Sequence, residues 1–504
     1  MKVSNEKASR TPISVGRNRW AQGINIMITT GQRRTLYVDL DGTLVHTDLL
    51  LETAARSIKH NPFVCFLIPF WAIGGRAKLK QKLAEIAPIP DVALLPFDRQ
   101  VLDYVEKARR KGDRVVLATA ADERLARAVA EHLGIFDDVI ASDGAHNLKS
   151  AQKLAAIQKD ARGGAFEYVG DSVADFAIWQ CATRAVVANA SPRLVSRLRS
   201  AVRETHVLSV RKFSFAPLLR AVRPHQWAKN ILLFIPIIAA HRFSDLHLVA
   251  VSALGFVSFS LCASAVYLTN DLLDLDADRK HSHKRYRPLA CGELPISTAL
   301  AIIPLLLAAA AMIALQVSGE FALVLAIYLA LTLTYSLFIK ELAILDTIVL
   351  AGLYTIRIEA GFVATTIIGS FWLFGFALFL FYSLAMLKRY SEVDGIRRRN
   401  LQLAHGRGYF AGDAELLGAV GVGSGLIAIL VFALYINSAD VSLLYPQPQM
   451  LWAMVPVLLY WITRLWLLAH RGEIDEDPVV FALNDKVSLA TIGLCVVIGV
   501  LATL

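Results

Sequence analysis

The sequence is poor in cysteine, and its cysteines are not spaced to build a disulfide or zinc framework. The five cysteines lie far apart among 504 residues and form no C-x-x-C pair. We therefore expect free thiols that behave as small buried side chains. The first thirty residues also lack an apolar stretch followed by a cleavage site. Since no secretory signal peptide is evident, we expect the N-terminal domain to stay in the cytoplasm.

Charge is scarce as well. Only 19% of the residues are charged and 55% are hydrophobic, which is too apolar for a typical soluble chain. The apolar excess follows about residue 215, and basic residues there cluster in the loops between apolar segments. Such residues mark the cytoplasmic side of membrane spans and attract anionic lipid. The net charge of +10 therefore indicates a membrane partner and no nucleic acid.

About nine apolar segments in the second half are long enough, or nearly so, to cross about 30 Å of hydrocarbon. They fall at roughly 229–243, 246–269, 297–316, 319–339, 343–366, 369–387, 414–437, 449–469 and 486–504. The loops after the second, sixth and eighth segments are basic, so we expect them to share the cytoplasmic side with the N-terminal domain. This pattern predicts a multi-pass protein of the cell (inner) membrane with its C-terminus outside.

A polar motif directly follows the second apolar segment. On a helix, Asp276 points away from the other polar side chains of this motif. Those share one face within an arc of about 100°: Asn270, Asp271, Asp274 and Asp278. Carboxylates on one face repel one another unless a cation lies among them, and Mg²⁺ favours such oxygen ligands. We predict a magnesium site with Asp271 and Asp274 as catalytic residues; the alternative is an acidic cap or salt-bridge partners for nearby bases.

A basic run comes next. Acids that collect a metal, followed by bases that collect phosphate oxygens, are typical of a pyrophosphate-binding site. The alternative is that these charges only set the membrane topology. The candidate phosphate-binding residues of the run are Arg279, Lys284, Arg285 and Arg287.

These motifs, together with the segment from Arg223 to Asn230 before the first span, resemble the UbiA superfamily of intramembrane prenyltransferases. That superfamily's first Asp-rich motif is N-D-x-x-D-x-x-x-D, and it matches here without a gap. The resemblance implies an all-helical bundle with a metal site at its cytoplasmic face and a lateral opening for lipid. It adds four residues to the candidate binding set, three of them around the second Asp-rich motif: Lys229, Tyr335, Lys340 and Asp346.

The second Asp-rich motif departs from the usual pattern, because Leu350 stands where a second acid is expected. The surrounding sequence instead resembles the decaprenyl-phosphate 5-phosphoribosyltransferase branch. In that branch a polyprenyl phosphate attacks the anomeric carbon of phosphoribosyl pyrophosphate, and pyrophosphate leaves. The chemistry suggests Arg357, Lys388 and Arg389 as holders of acceptor or ribose phosphates.

In the N-terminal half, a short apolar strand ends in Asp39-Leu-Asp41-Gly42-Thr43. Carboxylates two residues apart at a strand end can divide the work of phosphate-ester hydrolysis. We expect Asp39 to attack phosphorus and Asp41 to protonate the leaving alcohol and then activate water. Backbone N–H groups of the following turn can face the phosphate.

Further elements follow in order: Thr119 at a strand end, Lys153 with Lys149 as second choice, and the acid pair Asp171 and Asp175. The order resembles the haloacid dehalogenase (HAD) superfamily over about residues 31–210. The resemblance implies a doubly wound parallel sheet with the site at the strand ends, and phosphatase or phosphotransferase chemistry marked by Asp41. Asp39, Asp41, Asp171 and Asp175 form the expected Mg²⁺ site; the alternative is a degenerate fold used as a scaffold.

An insertion at about 50–95 lies where such enzymes carry a substrate-selecting cap. Its apolar run at 62–74 is too short and proline-broken to span a membrane, and four bases follow it: Arg76, Lys78, Lys80 and Lys82. We expect an element at the lipid interface, with its lysines towards anionic lipid. The alternative is a buried cap helix.

Together these patterns predict a basic tail at 1–30, a HAD-like phosphatase at 31–210, a junction at 211–228 and a UbiA-like domain at 229–504. The predicted function is transfer of 5-phosphoribose from phosphoribosyl pyrophosphate to a polyprenyl phosphate, then removal of the 5-phosphate, in cell-envelope biosynthesis. Two alternatives stay open: an aromatic polyprenyltransferase with an accessory phosphatase, and a non-catalytic lipid-binding protein. A homo-oligomer is compatible with all three.

Overall fold

The computed structural model describes residues 34–503 except 88–89, 144–147, 203, 212–213, 399–407, 439–440, 442–443 and 475–476. The predicted basic tail lies outside the described residues. Two units follow each other along the chain. The N-terminal domain contains the strands that the structure describes, and the C-terminal bundle is helical.

A six-stranded parallel sheet forms the centre of the N-terminal domain, in the order β3-β2-β1-β4-β5-β6. Its strands are β1 (Thr35–Val38), β2 (Arg114–Asp122), β3 (Asp138–Ser142), β4 (Phe166–Gly170), β5 (Arg184–Val187) and β6 (Thr205–Val207). Central β1 is apolar after Thr35 because both sheet faces are covered: Leu36 and Val38 pack into one apolar cluster, and Tyr37 into the other. The predicted doubly wound sheet is confirmed.

The predicted insertion is helical. It contains α1 (Leu49–His60), α2 (Val64–Ile73) and α3 (Arg76–Ile86), followed by a short 3-10 turn. Asp48 caps α1 by accepting the N–H groups of Leu50 and Leu51. Helix α2 contains one buried side chain, Val64. The alternative of a buried cap helix is therefore wrong for α2.

The remaining helices of this domain cover the sheet. They are α4 (Arg99–Arg110), α5 (Glu123–Leu133), α6 (Ala151–Ala161), α7 (Phe176–Cys181) and α8 (Pro192–Ala201).

Among the described residues of the bundle, eight helices are long and apolar enough to cross a membrane. The bundle elements are α9 (Ala216–Val222), a 3-10 segment (Pro224–Phe234), α10 (Ile235–Ala239), α11 (Leu246–Leu273), α12 (Leu275–Lys280), α13 (Ile296–Val317), α14 (Gly319–Leu337), α15 (Leu345–Thr365), α16 (Phe371–Arg398), α17 (Ala414–Ile436), α18 (Met454–Arg471), α19 (Pro478–Asn484) and α20 (Lys486–Thr503). The predicted all-helical bundle of about nine spans is thus confirmed, with one difference.

The difference is the first expected span, which consists of the 3-10 segment and α10. Each begins with a proline at its first turn, a position that tolerates the missing N–H. The segment runs antiparallel to α11, since Trp227 donates to Ser264 and Asn230 to Ser260, both at 3.0 Å. At about 2.0 Å per residue, a 3-10 segment of 11 residues extends about 22 Å. It therefore passes along α11 without being a regular span.

Candidate active sites in the two domains

The first site lies where neighbouring strands of the parallel sheet end. In the register, Val38 of β1 stands beside Leu117 of β2 and Val169 of β4. The next residues of all three chain segments therefore reach the same edge of the sheet. This brings Asp39 and Asp171 to one edge, as expected for a doubly wound fold. Thr119 was expected at a strand end, but it lies two positions past Leu117 inside β2, which continues to Asp122.

Three carboxylates converge at this edge. One oxygen each of Asp39, Asp171 and Asp175 lies within 4.8 Å of the others, and Lys153 Nζ lies 2.8 Å from Asp39 Oδ1 and 3.6 Å from Asp175 Oδ1. Lys153, the preferred lysine, is thus the one inside the site. Because three acids outnumber one lysine, the donor set suits a hard divalent cation such as Mg²⁺. Gly42 (φ +75°) approaches so closely that a Cβ there would lie 2.4 Å from Asp171.

Asp41 stands apart from the three-carboxylate group. It accepts the N–H of Leu49 at 2.9 Å, at the start of α1. Asp41 was expected to bind the metal through its side chain. That side chain instead points towards the cap, because the turn after β1 directs it there. The position remains suited to proton transfer beside Asp39.

Burial governs the protonation of these acids. It raises the pKa of Asp39 and of Asp41 above the ordinary range. Burial, with the nearby Asp39 and Asp175, raises the pKa of Asp171 to about 8. Carboxyl groups held this close together stay partly protonated near neutral pH unless a cation offsets their negative charge.

Lys80 also differs from its expected position facing lipid. Its ammonium donates to the carbonyl of Ala120, next to Thr119. The cap helix α3 thus brings a base to the edge of the phosphatase-type site.

A cavity of about 360 Å³ opens from this site towards the bundle. Its lining includes Asp41, Asp171 and Arg211 on one side, and Gly292 to Ser297 on the other. Gly292 has φ +80°, and a Cβ there would lie 2.5 Å from the His46 carbonyl oxygen. The bundle therefore forms one wall of the cavity, in tight contact with the N-terminal domain.

Helix α1 joins the two units. Its apolar side chains Leu51 and Ala55 pack in one cluster with Leu268 and Leu272 of α11. Its charged face makes two ion pairs with the acidic motif of the bundle, Arg56 with Asp276 and Lys59 with Asp274, both at 2.7 Å, and a third with the base that follows the motif, Glu52 with Arg279 at 2.5 Å. The sequence did not predict this interface.

The second site is a cavity of about 340 Å³ in the bundle. Most of the predicted substrate and metal residues line it: Lys229, Asn270, Asp271, Asp274, Asp278, Lys284, Arg287, Tyr335, Lys340, Arg357, Lys388 and Arg389. Leu350 lines it as well, so the position of the missing acid faces the cavity as an apolar side chain.

The acids of this cavity are individually paired with bases. Arg287 Nη1 lies 3.0 Å from Asp271 and 2.6 Å from Asp278, and Arg223 also pairs with Asp271. Lys340 Nζ is 3.3 Å from Asp274. Carboxylates with an amide nearby are ligands that Mg²⁺ accepts, although in the described chain these acids do not form a group as tight as that around Asp39.

On the opposite wall, Lys229 and Lys388 share the carboxylate of Asp477, at 2.8 and 3.0 Å. Burial alone would raise the pKa of Asp477, but the two ammonium groups hold it well below the ordinary range. Arg357 is buried and donates to Asn230 Oδ1 at 2.8 Å and Tyr328 Oη at 2.9 Å. These contacts orient the bases towards the cavity.

Asp346 differs from its expected role in binding substrate phosphate. It is fully buried and outside the cavity lining, where it accepts Arg389 Nε at 2.5 Å and Tyr409 Oη at 2.5 Å. Arg389 also donates to Tyr335 at 2.9 Å. The second Asp-rich motif therefore holds an arginine in place.

Besides Asp346, two further predicted phosphate-binding residues do not line the cavity. Arg279 is buried against Glu52 and the Ala290 carbonyl, because α12 turns it towards α1. Arg285 is exposed and donates to the neighbouring Tyr286. Two functional residues, Asp477 and Lys59, were not predicted from the sequence. Asp477 is a single acid in a loop, where no periodic pattern marks it. Lys59 could have been found from the spacing of Glu52, Arg56 and Lys59, which is typical of a charged helix face.

Comparisons with known proteins match each of the two domains to a family. Residues 231–492 match the UbiA prenyltransferase family, and residues 36–179 match haloacid dehalogenase-like hydrolases. An uncharacterised protein of Sinorhizobium fredii, y4nM, is 39% identical over 90% of this chain and 88% of its own. Nodulation protein NoeC of Azorhizobium caulinodans is 35% identical over 56% of this chain and 91% of its own. Decaprenyl-phosphate phosphoribosyltransferase of Mycobacterium tuberculosis is 31% identical over 56% of this chain and 95% of its own.

Proposed function

Because the chain belongs to the UbiA prenyltransferase family and carries a haloacid dehalogenase-like domain, we propose that it is a bifunctional membrane enzyme. The bundle transfers 5-phosphoribose from phosphoribosyl pyrophosphate to a polyprenyl phosphate. The N-terminal domain then removes the 5-phosphate. The product, polyprenyl-phosphoryl-ribose, is an activated glycosyl donor for cell-envelope synthesis. The likeness to a decaprenyl-phosphate phosphoribosyltransferase supports the first step.

The observation that carries the proposal is the charge balance of the bundle cavity. Eight Lys and Arg side chains line it but only four Asp side chains, all within the described residues. A surplus of fixed positive charge stabilises ligands with several phosphates. Phosphoribosyl pyrophosphate and a lipid phosphate together bring four phosphate groups, whereas a polyprenyl diphosphate with an aromatic acceptor brings two. Leu350 in the cavity wall also argues against the aromatic prenyltransferase alternative.

In the transfer step, a lipid phosphate oxygen attacks the anomeric carbon while the bond to pyrophosphate breaks. Bound Mg²⁺ would neutralise charge on the leaving pyrophosphate, held by Asn270, Asp271, Asp274 and Asp278. The lipid phosphate is already anionic, so it requires orientation more than deprotonation. Arg357 and Arg389, both fixed by buried partners, are suited to that orientation.

In the hydrolytic step, Asp39 attacks the 5-phosphorus and forms an aspartyl phosphate while Asp41 protonates the departing 5-oxygen. Asp41 then takes a proton from the water that cleaves the aspartyl phosphate. Lys153 offsets the charge of Asp39 at 2.8 Å. Bound Mg²⁺ would offset phosphate charge, with Asp39, Asp171 and Asp175 as its side-chain ligands.

The position of the phosphatase cavity supports a lipid-linked substrate. Its wall from Gly292 to Ser297 leads directly into the membrane-crossing helix α13. Helix α1, about 18 Å long at 1.5 Å per residue, joins Asp41 at one end to Asp274 at the other. A lipid held at one site is thus within reach of the other, and the fusion raises the effective concentration of the second site.

We also propose that α2 lies in the interfacial layer of the membrane, on the cytoplasmic side of the cell (inner) membrane. Phe66 and Phe70 are 69% and 71% exposed, and Phe63 and Ile73 are also exposed. Such a concentration of apolar side chains on a short helix beside a membrane-crossing bundle fits lipid contact.

The test is incubation of purified full-length protein with polyprenyl phosphate, phosphoribosyl pyrophosphate and Mg²⁺, followed by lipid mass spectrometry. We expect polyprenyl-phosphoryl-ribose, with the 5-phosphorylated lipid as an early intermediate. A matched reaction contains a polyprenyl diphosphate and an aromatic acceptor. A prenylated aromatic without any phosphoribosyl lipid would overturn the proposal.

A further inference from the structure

One charged face of α1 forms a row of ion pairs with residues 274–279 of the bundle. Glu52, Arg56 and Lys59 are spaced i, i+4 and i+7, so they share one side of the helix. Their partners run in the opposite chain direction: Arg279, Asp276 and Asp274. The N-terminal domain is therefore aligned with the mouth of the bundle cavity.

The last pair differs from the first two in its surroundings. Glu52 and Arg279 are buried, and Arg56 is buried against them. Lys59 and Asp274 have 42% and 27% of their side-chain surface exposed. An ion pair as open as this contributes little to stability. The buried pairs and the apolar cluster already hold the interface, so docking alone does not account for Lys59.

Lys59 meets a residue that belongs to the cavity. Asp274 lines the cavity and also contacts Lys340 Nζ at 3.3 Å, so two ammonium groups converge on one carboxylate. A cation bound by Asp274 would neutralise that carboxylate in place of the two lysines. Both lysines could then contact phosphate oxygens that enter with the cation.

We propose that Lys59, supplied by the N-terminal domain, is part of the diphosphate-binding set of the bundle cavity. The ligand class is a diphosphate carried by the sugar donor or released as pyrophosphate, and to that extent the inference rests on the proposed function. The phosphatase-type domain thereby completes the transferase site. Lys59 is a binding residue at the rim and takes no part in bond breaking.

Lys280 provides a matched control. It also pairs across the two units, with Asp91 at 3.8 Å, and its side chain is 59% exposed. Neither lysine is itself in the cavity lining as the structure describes it, but Asp274, the partner of Lys59, lines the cavity, whereas Asp91, the partner of Lys280, does not. A lysine that merely helps docking should therefore behave like Lys280.

The experiment is calorimetric titration of full-length protein in nanodiscs with inorganic pyrophosphate and Mg²⁺. We expect Lys59→Ala to weaken pyrophosphate binding roughly tenfold, as for loss of one charge-assisted contact worth about 1.5 kcal/mol. Lys59→Arg should retain most of the affinity, and Lys280→Ala should match wild type. In turnover, Lys59→Ala should raise KM for phosphoribosyl pyrophosphate more than it lowers kcat.

Hydrolysis of p-nitrophenyl phosphate by the same variants reports whether the N-terminal domain is intact. Unchanged pyrophosphate affinity in Lys59→Ala would overturn the inference, as would equal losses in Lys59→Ala and Lys280→Ala. A combined loss of pyrophosphate binding and p-nitrophenyl phosphate hydrolysis would assign Lys59 to docking instead. If wild type binds pyrophosphate through Lys59 but forms no phosphoribosyl lipid, the proposed function fails and the inference stands.

Discussion

In the N-terminal site three carboxylates surround one lysine, whereas in the bundle cavity three carboxylates of the acidic motif contact four bases. The first arrangement leaves net negative charge, which favours a divalent cation and one phosphate. The second leaves net positive charge once the remaining cavity bases are included. Such a cavity favours a cation only together with a polyanion. The same residue types, in different proportions, thus suit the two sites to different phosphate ligands.

Asp39→Asn is expected to separate the two sites most strongly. Replacing the attacking carboxylate should lower phosphate-ester hydrolysis on the order of 10⁶-fold, as for loss of a covalent nucleophile in another hydrolase. Transfer in the bundle should continue, so the 5-phosphorylated lipid should accumulate. Mass spectrometry of lipids made by the variant measures this directly.

The control for Asp39→Asn is p-nitrophenyl phosphate, a soluble ester that avoids the bundle. Hydrolysis of both esters should fall together. If wild type accumulates the 5-phosphorylated lipid to the same extent, the phosphatase acts on another substrate.

Asp274→Asn is the converse change and should have the next largest effect. It removes charge at the contact shared by Lys340 and Lys59, and we expect transfer to fall on the order of 10²–10³-fold. Hydrolysis of p-nitrophenyl phosphate should remain near wild type, because the apolar cluster and the Glu52 pair still hold α1. Retained transfer would show that the cation site lies elsewhere.

The N-terminal site could be predicted because its residues follow strands. Parallel strands end at one edge, so Asp39 and Asp171 meet once the sheet order is known. The side-chain direction of Asp41 was not predictable, since it depends on the first N–H of α1. Strand periodicity contains no information on that contact.

Most residues of the bundle site could be predicted from the sequence, but the partners that these residues contact could not. Arg279 was expected to bind phosphate, but it pairs with Glu52, which is 227 positions away in the sequence. Asp346 matched a family motif, yet its partner Arg389 lies on the next long helix. Long-range ion pairs of this kind depend on how the domains dock, and local spacing does not encode docking.

A pH effect is also expected at the N-terminal site. Asp171 has a folded pKa of about 8, well above its unfolded value. The folded domain then binds more protons than the unfolded chain, so without Mg²⁺ its unfolding free energy should fall as pH rises from about 4 to about 8. One fully titrating group contributes about 1.4 kcal/mol per pH unit at most.

Hydrogen exchange of strand β1 in the intact protein measures this opening free energy. Saturating Mg²⁺ should remove most of the pH slope, because cation binding favours the charged carboxylates. A slope that is equal with and without Mg²⁺ would indicate that the acid cluster does not hold the ion.

The smallest expected effect concerns the boundary between the N-terminal domain and the membrane-crossing bundle. Cys65 lies on α2 and Cys181 is the last residue of α7, outside the insertion, and both are exposed. A nitroxide on Cys65 in a Cys181→Ser background should be more accessible to oxygen than to a water-soluble nickel chelate. The reverse pairing, a label on Cys181 in Cys65→Ser, should report an aqueous position. Equal chelate accessibility at both labels would place α2 in water, and the exposed Phe66 and Phe70 would then require a protein partner instead of lipid.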